Sequence, residues 1–200
     1  MKEPIQFWFD FSSPYSYIAS ELIDDLAARY ARKVHWRPIM LGAAFKASGV
    51  PLLITTPLKG EYSKRDFDRS ARFHGVPYHF PTTFPQLTLS AARGYYWLHA
   101  QDCAVARNFA HAVFRALWID NRNVSEPAVV AEIADSLGLD GAALLAAAAT
   151  PEIKERLKQE TDTAVAQGMF GAPYFIVDGE PFWGADRLPQ IEKWLATGGF

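Results

Sequence analysis

Strand signals fall only at the two ends of this chain, and that placement limits the folds open to it. Near the start, Ile5-Gln6-Phe7-Trp8-Phe9 is an apolar run that reads as a buried strand. Residues 33–41 read as a second strand, with alternation at Val34, Trp36 and Pro38. Between them, Tyr15, Ile18, Ala19, Leu22, Ile23, Leu26 and Tyr30 recur at helical spacing, with Glu21, Asp24, Asp25 and Arg29 in the gaps. A strand–helix–strand unit of this length predicts parallel strands and a right-handed crossover. Strand signals return only at 173–177 and 180–183, on either side of Asp178-Gly179, the dipeptide of a two-residue hairpin turn.

What lies between is helical. Residues 42–60 are punctuated by Gly42, Gly49, Pro51, Pro57 and Gly60, with room for a short helix over 43–47. Helical patterns follow at 61–74 with Gly75 as stop, at 88–100 and at 104–120. A further one runs from Val124 to a stop at Gly138, with Ser125 as its candidate cap. Residues 140–149 come next, and Thr150-Pro151 opens the last of the block, ending near Gly168. Residues 76–86 form a Pro-rich aromatic loop (Pro77, Tyr78, Phe80, Pro81, Phe84, Pro85), too apolar for a plain surface loop and expected to line something. After the hairpin, Gly184-Ala185-Asp186 leads into a final helix over 188–196, with Asp186 or Arg187 near its cap. The order is β-α-β, helical block, β-β-α. It predicts an α/β thioredoxin-like fold with a large inserted all-helical domain. Residues 1–41 and 169–200 form the thioredoxin-like domain and 42–168 the insertion.

With 200 residues, half of them hydrophobic, and with 14 Phe, 8 Tyr and 6 Trp, the chain can bury a full core. A net charge of -2 leaves no basic footprint for nucleic acid. No run of about 18 apolar residues predicts a membrane span. The start, Met-Lys-Glu-Pro, carries neither a secretory nor a transit pattern, so a cytoplasmic protein is expected. Cys103 is the single cysteine, which excludes an intrachain disulfide and a CxxC pair; its apolar neighbours predict a small core residue. His35, His74, His79, His99 and His111 show no ligand spacing, and no metal site is expected.

The chemistry centres on Phe9-Asp10-Phe11-Ser12-Ser13-Pro14-Tyr15-Ser16-Tyr17, where strand passes to helix through a sharp turn. Ser13 stands at the N-cap and Pro14 at the first helical position, where its missing N–H costs nothing. Two readings compete for Ser13. It is a helix cap, or it is a donor in a site for an anion or thiolate.

Three motifs then carry a resemblance over essentially the whole length: FDFSSPYSY at 9–17, FGAPYF at 170–175 and FWGADR at 182–187. Together they resemble the 2-hydroxychromene-2-carboxylate isomerases and the kappa-class glutathione transferases, within the DsbA-like thioredoxin group. Ser13-Pro14-Tyr15-Ser16 stands where redox members carry Cys-Pro-x-Cys. Disulfide exchange needs a protein thiolate, which this chain lacks there. The resemblance implies a site that holds the thiolate of glutathione, with Ser13 as its catalytic donor.

The magnitudes allow it. A thiol of pKa about 8.5 is only a few per cent ionised at pH 7. A hydrogen bond to a charged acceptor contributes about 1.5–3 kcal/mol and a helix N-terminus roughly 0.3–1. Together they lower the pKa by roughly one to two units.

The same resemblance implies a cis bond at Ala172-Pro173, with the Ala172 backbone facing glutathione. It assigns Trp183, Gly184, Ala185, Asp186 and Arg187 to the γ-glutamyl end, Asp186 taking the ammonium. Lys59 lies near a kappa-class lysine that meets the tripeptide, whereas Val50 stands where that class has an asparagine. Candidates for the substrate pocket are Tyr15, Lys64, Phe84, Pro85 and Arg93. The implied activity is isomerisation of an aromatic enone-pyruvate in aromatic catabolism, with glutathione as cofactor, a small aromatic substrate and a homodimeric assembly. The alternatives are a kappa-like transferase and a non-catalytic DsbA-fold binding protein.

Overall fold

The computed structural model describes residues 3–49 and 51–200. Its sheet has four strands in the order β2-β1-β3-β4: β1 (Ile5–Phe9), β2 (Val34–Pro38), β3 (Tyr174–Val177) and β4 (Glu180–Trp183). β1 pairs parallel with β2, Phe7 opposite Trp36, and antiparallel with β3, Phe7 opposite Phe175. The β3–β4 hairpin turns through Asp178 (φ 52°) and Gly179 (φ 87°), the two positive-φ positions that an Asp-Gly turn supplies.

The side-chain alternation of β1 divides the core. Ile5, Phe7 and Phe9 are fully buried in one cluster, while Trp8 is fully buried in the other. The first face is covered by α1 (Pro14–Ser20), α2 (Ile23–Arg29), α5 (Leu89–His99), α6 (Cys103–Trp118) and α10 (Leu188–Thr197). α6 reaches the sheet through Phe114, whose ring centroid lies 5.3 Å from Phe9 and 4.9 Å from Phe11. The second face is covered by α3 (Leu41–Ser48) and α9 (Pro151–Ala166). α4 (Lys59–His74), α7 (Pro127–Ser136) and α8 (Gly141–Ala148) complete the helical block, which among the described residues contains no strand.

Buried Glu160 fastens α9 to β2. Its carboxylate meets Arg37 at 3.1 Å and Arg156 at 2.8 Å, and those guanidiniums lie over Trp8 and Tyr96. Thr150 caps α9 through Ile153 N–H, and Pro151 fills its first position, as the sequence predicts.

Four local expectations are corrected. Leu41 opens α3 rather than closing β2. The helical pattern over 15–30 forms two helices, not one, breaking at Glu21 and Leu22. There the Ser20 hydroxyl bonds back to the Tyr17 carbonyl, and Glu21 turns to α6, meeting Arg115 at 2.7 Å and His111 at 3.4 Å. Ser125 does not cap α7: its hydroxyl donates to Asn123 Oδ1, and the cap position is Glu126, without a side-chain bond. Cys103 is exposed. It stands at the first position of α6, right after the capping carboxylate of Asp102, and the buried face of that helix begins a turn later at Ala106.

Glu21 also gives a pH signature. Burial pushes its carboxyl up, but the hydrogen bonds from His111 and Arg115 outweigh that and hold it at about 2, against an ordinary 4.5. A depressed folded-state value contributes stability that is present above 4.5 and lost as pH falls through about 2. Glu21→Gln is therefore expected to melt below the native chain at pH 7. The gap should close between about pH 5 and pH 2 in melting curves followed by circular dichroism. A gap of constant size across that range would refute the assignment.

Candidate active site

The turn after β1 is tied by Asp10, only 7% exposed. Its Oδ1 accepts from Ser12 N–H at 2.8 Å, the Ser12 hydroxyl at 2.9 Å and the Thr88 hydroxyl at 3.1 Å. Its Oδ2 accepts from Leu41 N–H at 2.9 Å. One carboxylate thus joins the end of β1, the residue before α5 and the start of α3. Trp118 supports the same turn from below, donating from Nε1 to the Phe11 carbonyl at 2.9 Å.

Ser13 follows as the N-cap of α1, with Pro14 at its first position. Its Oγ accepts from Ser16 N–H at 3.1 Å and donates to the Ala172 carbonyl at 3.0 Å. The Ala172-Pro173 bond is cis, and the Pro173 carbonyl accepts from Gly184 N–H at 3.0 Å. These bonds bring together three segments far apart in the chain: the Ser13 turn, the Ala172-Pro173 pair and the 184–187 loop. The expectation of an Ala172 backbone open to ligand is corrected in one respect, because its carbonyl already takes the Ser13 proton. Ser16 is fully buried, and its hydroxyl has no hydrogen-bond partner among the described residues. Pro14 has no N–H and that of Ser16 is used, so the Tyr15 amide is the open donor of this short, two-turn helix end.

The 184–187 loop needs its glycine. Gly184 has φ +109°, and a Cβ there would lie 2.3 Å from Asp186 Oδ1. Ala185–Arg187 forms a 3-10 turn leading into α10. Asp186 does not cap α10; its carboxylate is largely exposed and pairs with Arg187 at 3.3 Å. Trp183, half-exposed, packs edge-on against Phe170 at 4.7 Å, and Gly171 lies so close beneath its indole that a Cβ would meet Nε1 at 2.5 Å.

Tyr15 reaches from α1 to α4. Its hydroxyl donates to Asp66, which is ion-paired with Arg69, and Arg69 in turn donates to the Tyr62 hydroxyl at 2.9 Å. Burial, then the bond to and charge of Asp66, then the charge of Asp186 push the Tyr15 phenol far above its ordinary value. A cleft of about 290 Å³ opens there, lined by Arg69, Ser70, Phe73, His74, Asp186 and Pro189. A larger one of about 690 Å³, including Lys33, His99 and Cys103 in its walls, lies at the opposite end of the strands. Neither contains Ser13, which is 4% exposed.

The remaining expected residues scatter. Phe84 packs on Trp118 at 5.8 Å, and Phe84-Pro85 is a second cis bond, so the aromatic loop backs the Ser13 turn. Lys59 is exposed at the first position of α4, and Lys64 pairs with Glu61 at 2.7 Å; among the described residues no hydrogen bond or ion pair joins either to Ser13, Ala172 or Gly184. Arg93 is half-buried on α5, with its Nε enclosed and without a partner among the described residues. Val50 lies outside the described residues. Asp10, Asp66, Arg69 and Thr88 were not singled out by sequence. Only Asp10, an acid embedded in an apolar strand end, left a trace there.

The family model of the DsbA-like thioredoxin domain matches residues 4–196. A 2-hydroxychromene-2-carboxylate isomerase of Sphingobium xenophagum is 34% identical over 200 residues, covering 98% of this chain and 99% of that protein. The chain belongs to the 2-hydroxychromene-2-carboxylate isomerase family, of DsbA-like thioredoxin fold. A solved 2-hydroxychromene-2-carboxylate isomerase superposes with a TM-score of 0.82 at 30% identity, covering 96% of this chain and 94% of that one. Human glutathione S-transferase kappa 1 is 26% identical over 208 residues, covering 96% of this chain and 92% of that protein. Membership fixes the thioredoxin-like fold with its helical insertion. It also ranks this chain beside isomerases that differ from it at two positions in three.

Proposed function

We propose that this protein is a glutathione-dependent isomerase acting on an aromatic enone-pyruvate. The observation that carries the reading is the Ser13 hydroxyl, held between Ser16 N–H and the Ala172 carbonyl where a redox relative would carry a thiol. The isomerase relatives and the kappa transferase, named for its use of glutathione, support the same choice.

The residues fit the cofactor. The Ser13 hydroxyl, held by the Ser16 N–H, has a proton that it can turn from the Ala172 carbonyl to an acceptor such as a thiolate. The exposed Asp186 carboxylate suits an ammonium, and the Tyr15 amide suits a further acceptor. Glutathione, when bound, supplies a thiolate that adds to the enone and later leaves, so that the carbon–carbon bond between turns as a single bond. Ser13 turns its proton from the Ala172 carbonyl to the sulfur and holds it ionised. Ala172 then offers its carbonyl to a backbone N–H of the tripeptide. Tyr15 donates its hydroxyl proton in a hydrogen bond to Asp66, so a ligand group that meets this hydroxyl would have to be a donor, such as a phenol hydroxyl.

Calorimetry with glutathione at about pH 6 and pH 8, in two buffers of different ionisation enthalpy, should show binding with release of a proton. An aromatic enone-pyruvate should then isomerise with glutathione unconsumed. Consumption of one glutathione per product would mean a transferase, and no binding at millimolar glutathione would leave a non-catalytic binding protein.

A further inference from the structure

We infer that the cleft between α4 and the turn opening α10 takes an α-amino-acid end, a carbon bearing both an ammonium and a carboxylate, with Arg69 as the partner of the carboxylate and Asp186 of the ammonium. On the glutathione reading above, on which this rests, that end is the γ-glutamyl end of the tripeptide. Arg69 is then a binding residue that lies outside the three sequence motifs.

The cleft has a charge of each sign in its walls, Arg69 from α4 and Asp186 from the 3-10 turn before α10. Both side chains are more than half exposed, and among the described residues they form no ion pair with each other. Asp186 meets only its neighbour Arg187, at 3.3 Å, in an exposed pair of the kind that holds weakly. Arg69 spends one nitrogen, Nη2, on both Asp66 and the Tyr62 hydroxyl. Its Nη1 and Nε have no hydrogen-bond partner among the described residues and stay open as donors to a carboxylate. Asp66, with the Tyr15 hydroxyl on its other oxygen, holds the guanidinium in place.

Each wall is tied back to the Ser13 turn. Tyr15, on the helix that Ser13 caps, bonds to Asp66. Gly184, at the head of the Asp186 turn, donates to the Pro173 carbonyl, and the adjoining Ala172 carbonyl takes the Ser13 proton. The cleft thus adjoins the Ser13 turn without including it, the place for one end of a ligand rather than for its sulfur. Glutathione has two charged ends. The glycyl end is a carboxylate alone, which Asp186 would repel. The γ-glutamyl end carries both charges on one carbon, and it alone gives each wall its opposite sign.

The test is calorimetry of the native chain, Arg69→Gln, Arg69→Lys and Asp186→Asn with three peptides. These are glutathione, γ-aminobutyryl-Cys-Gly, which lacks only the α-carboxylate, and glutaryl-Cys-Gly, which lacks only the α-ammonium. Arg69→Gln should weaken glutathione roughly ten-fold and leave γ-aminobutyryl-Cys-Gly within about two-fold. Asp186→Asn should weaken glutathione to a similar degree and leave glutaryl-Cys-Gly unchanged or tighter. Arg69→Lys, which keeps the charge, should fall between native and Arg69→Gln, and it keeps the test open if the glutamine variant disturbs α4. A loss in Arg69→Gln of equal size for glutathione and γ-aminobutyryl-Cys-Gly would reduce Arg69 to a wall of the cleft. That result would overturn the inference while leaving the glutathione reading standing, as would a native chain that binds both peptides equally well. A native chain that binds no glutathione would remove both.

Discussion

Ser13→Ala is expected to lower kcat/KM for glutathione-dependent isomerisation by roughly 10²–10³-fold, the range seen when one buried donor to a developing or bound anion is removed. Ser13 is 4% exposed, so a hydrogen bond from its hydroxyl acts in a medium from which water is largely excluded. Losing it strands the Ser16 N–H and the Ala172 carbonyl, and it also removes the N-cap of α1. The cap alone is worth about 1 kcal/mol, so the variant should fold and melt a few degrees lower. Steady-state rates at pH 6 to 9, with melting curves alongside, separate the two effects. If the loss comes from thiol ionisation, it should shrink at high pH, where free glutathione is itself ionised. An activity within a few-fold of native at pH 7 would reduce Ser13 to a cap.

Asp10→Ala should be the most destabilising single change at this end of the sheet, by roughly 3–5 kcal/mol, because it leaves several enclosed donors without an acceptor at once. Ser12 N–H, Leu41 N–H and the Thr88 hydroxyl all turn to this one carboxylate. For a chain of this length that corresponds to a fall in Tm on the order of 10 °C. Asp10→Asn should lie between, since its amide oxygen can keep the Ser12 and Thr88 bonds while its NH₂ faces the Leu41 N–H. Equal melting of Asn, Ala and native chains would show that the knot adds little. The Ser13 turn begins where this knot ends, so binding should fall with stability in both variants.

The elements were readable because each was set by short-range chemistry. Alternation in β1, the Asp178-Gly179 turn, Thr150 with Pro151 and the Gly75 stop all act within a few residues. The Ser13 cap and the cis bond at Ala172-Pro173 came through as well, the second only by family likeness. What stayed hidden depends on partners distant in sequence. Nothing near Tyr15 announces Asp66, 51 positions on, nor does Asp10 announce Thr88, 78 positions on. The break at Glu21 was invisible for the same reason, since its cause includes Arg115 and His111 of another helix. Cys103 was misplaced because local apolar neighbours say nothing about where a helix first meets its packing surface.

The sheet order has a consequence for how this chain comes into being. β1 is an inner strand, yet only β2 is made soon after it; its other neighbour, β3, emerges from the ribosome only after the whole helical block. Until then Ile5-Gln6-Phe7-Trp8-Phe9 has one side unpaired, and the loop that must close across it holds β2 and the entire helical block. A nascent or prematurely ended chain lacking Tyr174–Val177 presents an apolar open edge of the kind that other chains pair with. The same pairing brings Ala172 to Ser13, so the site cannot exist before β3 has reached β1.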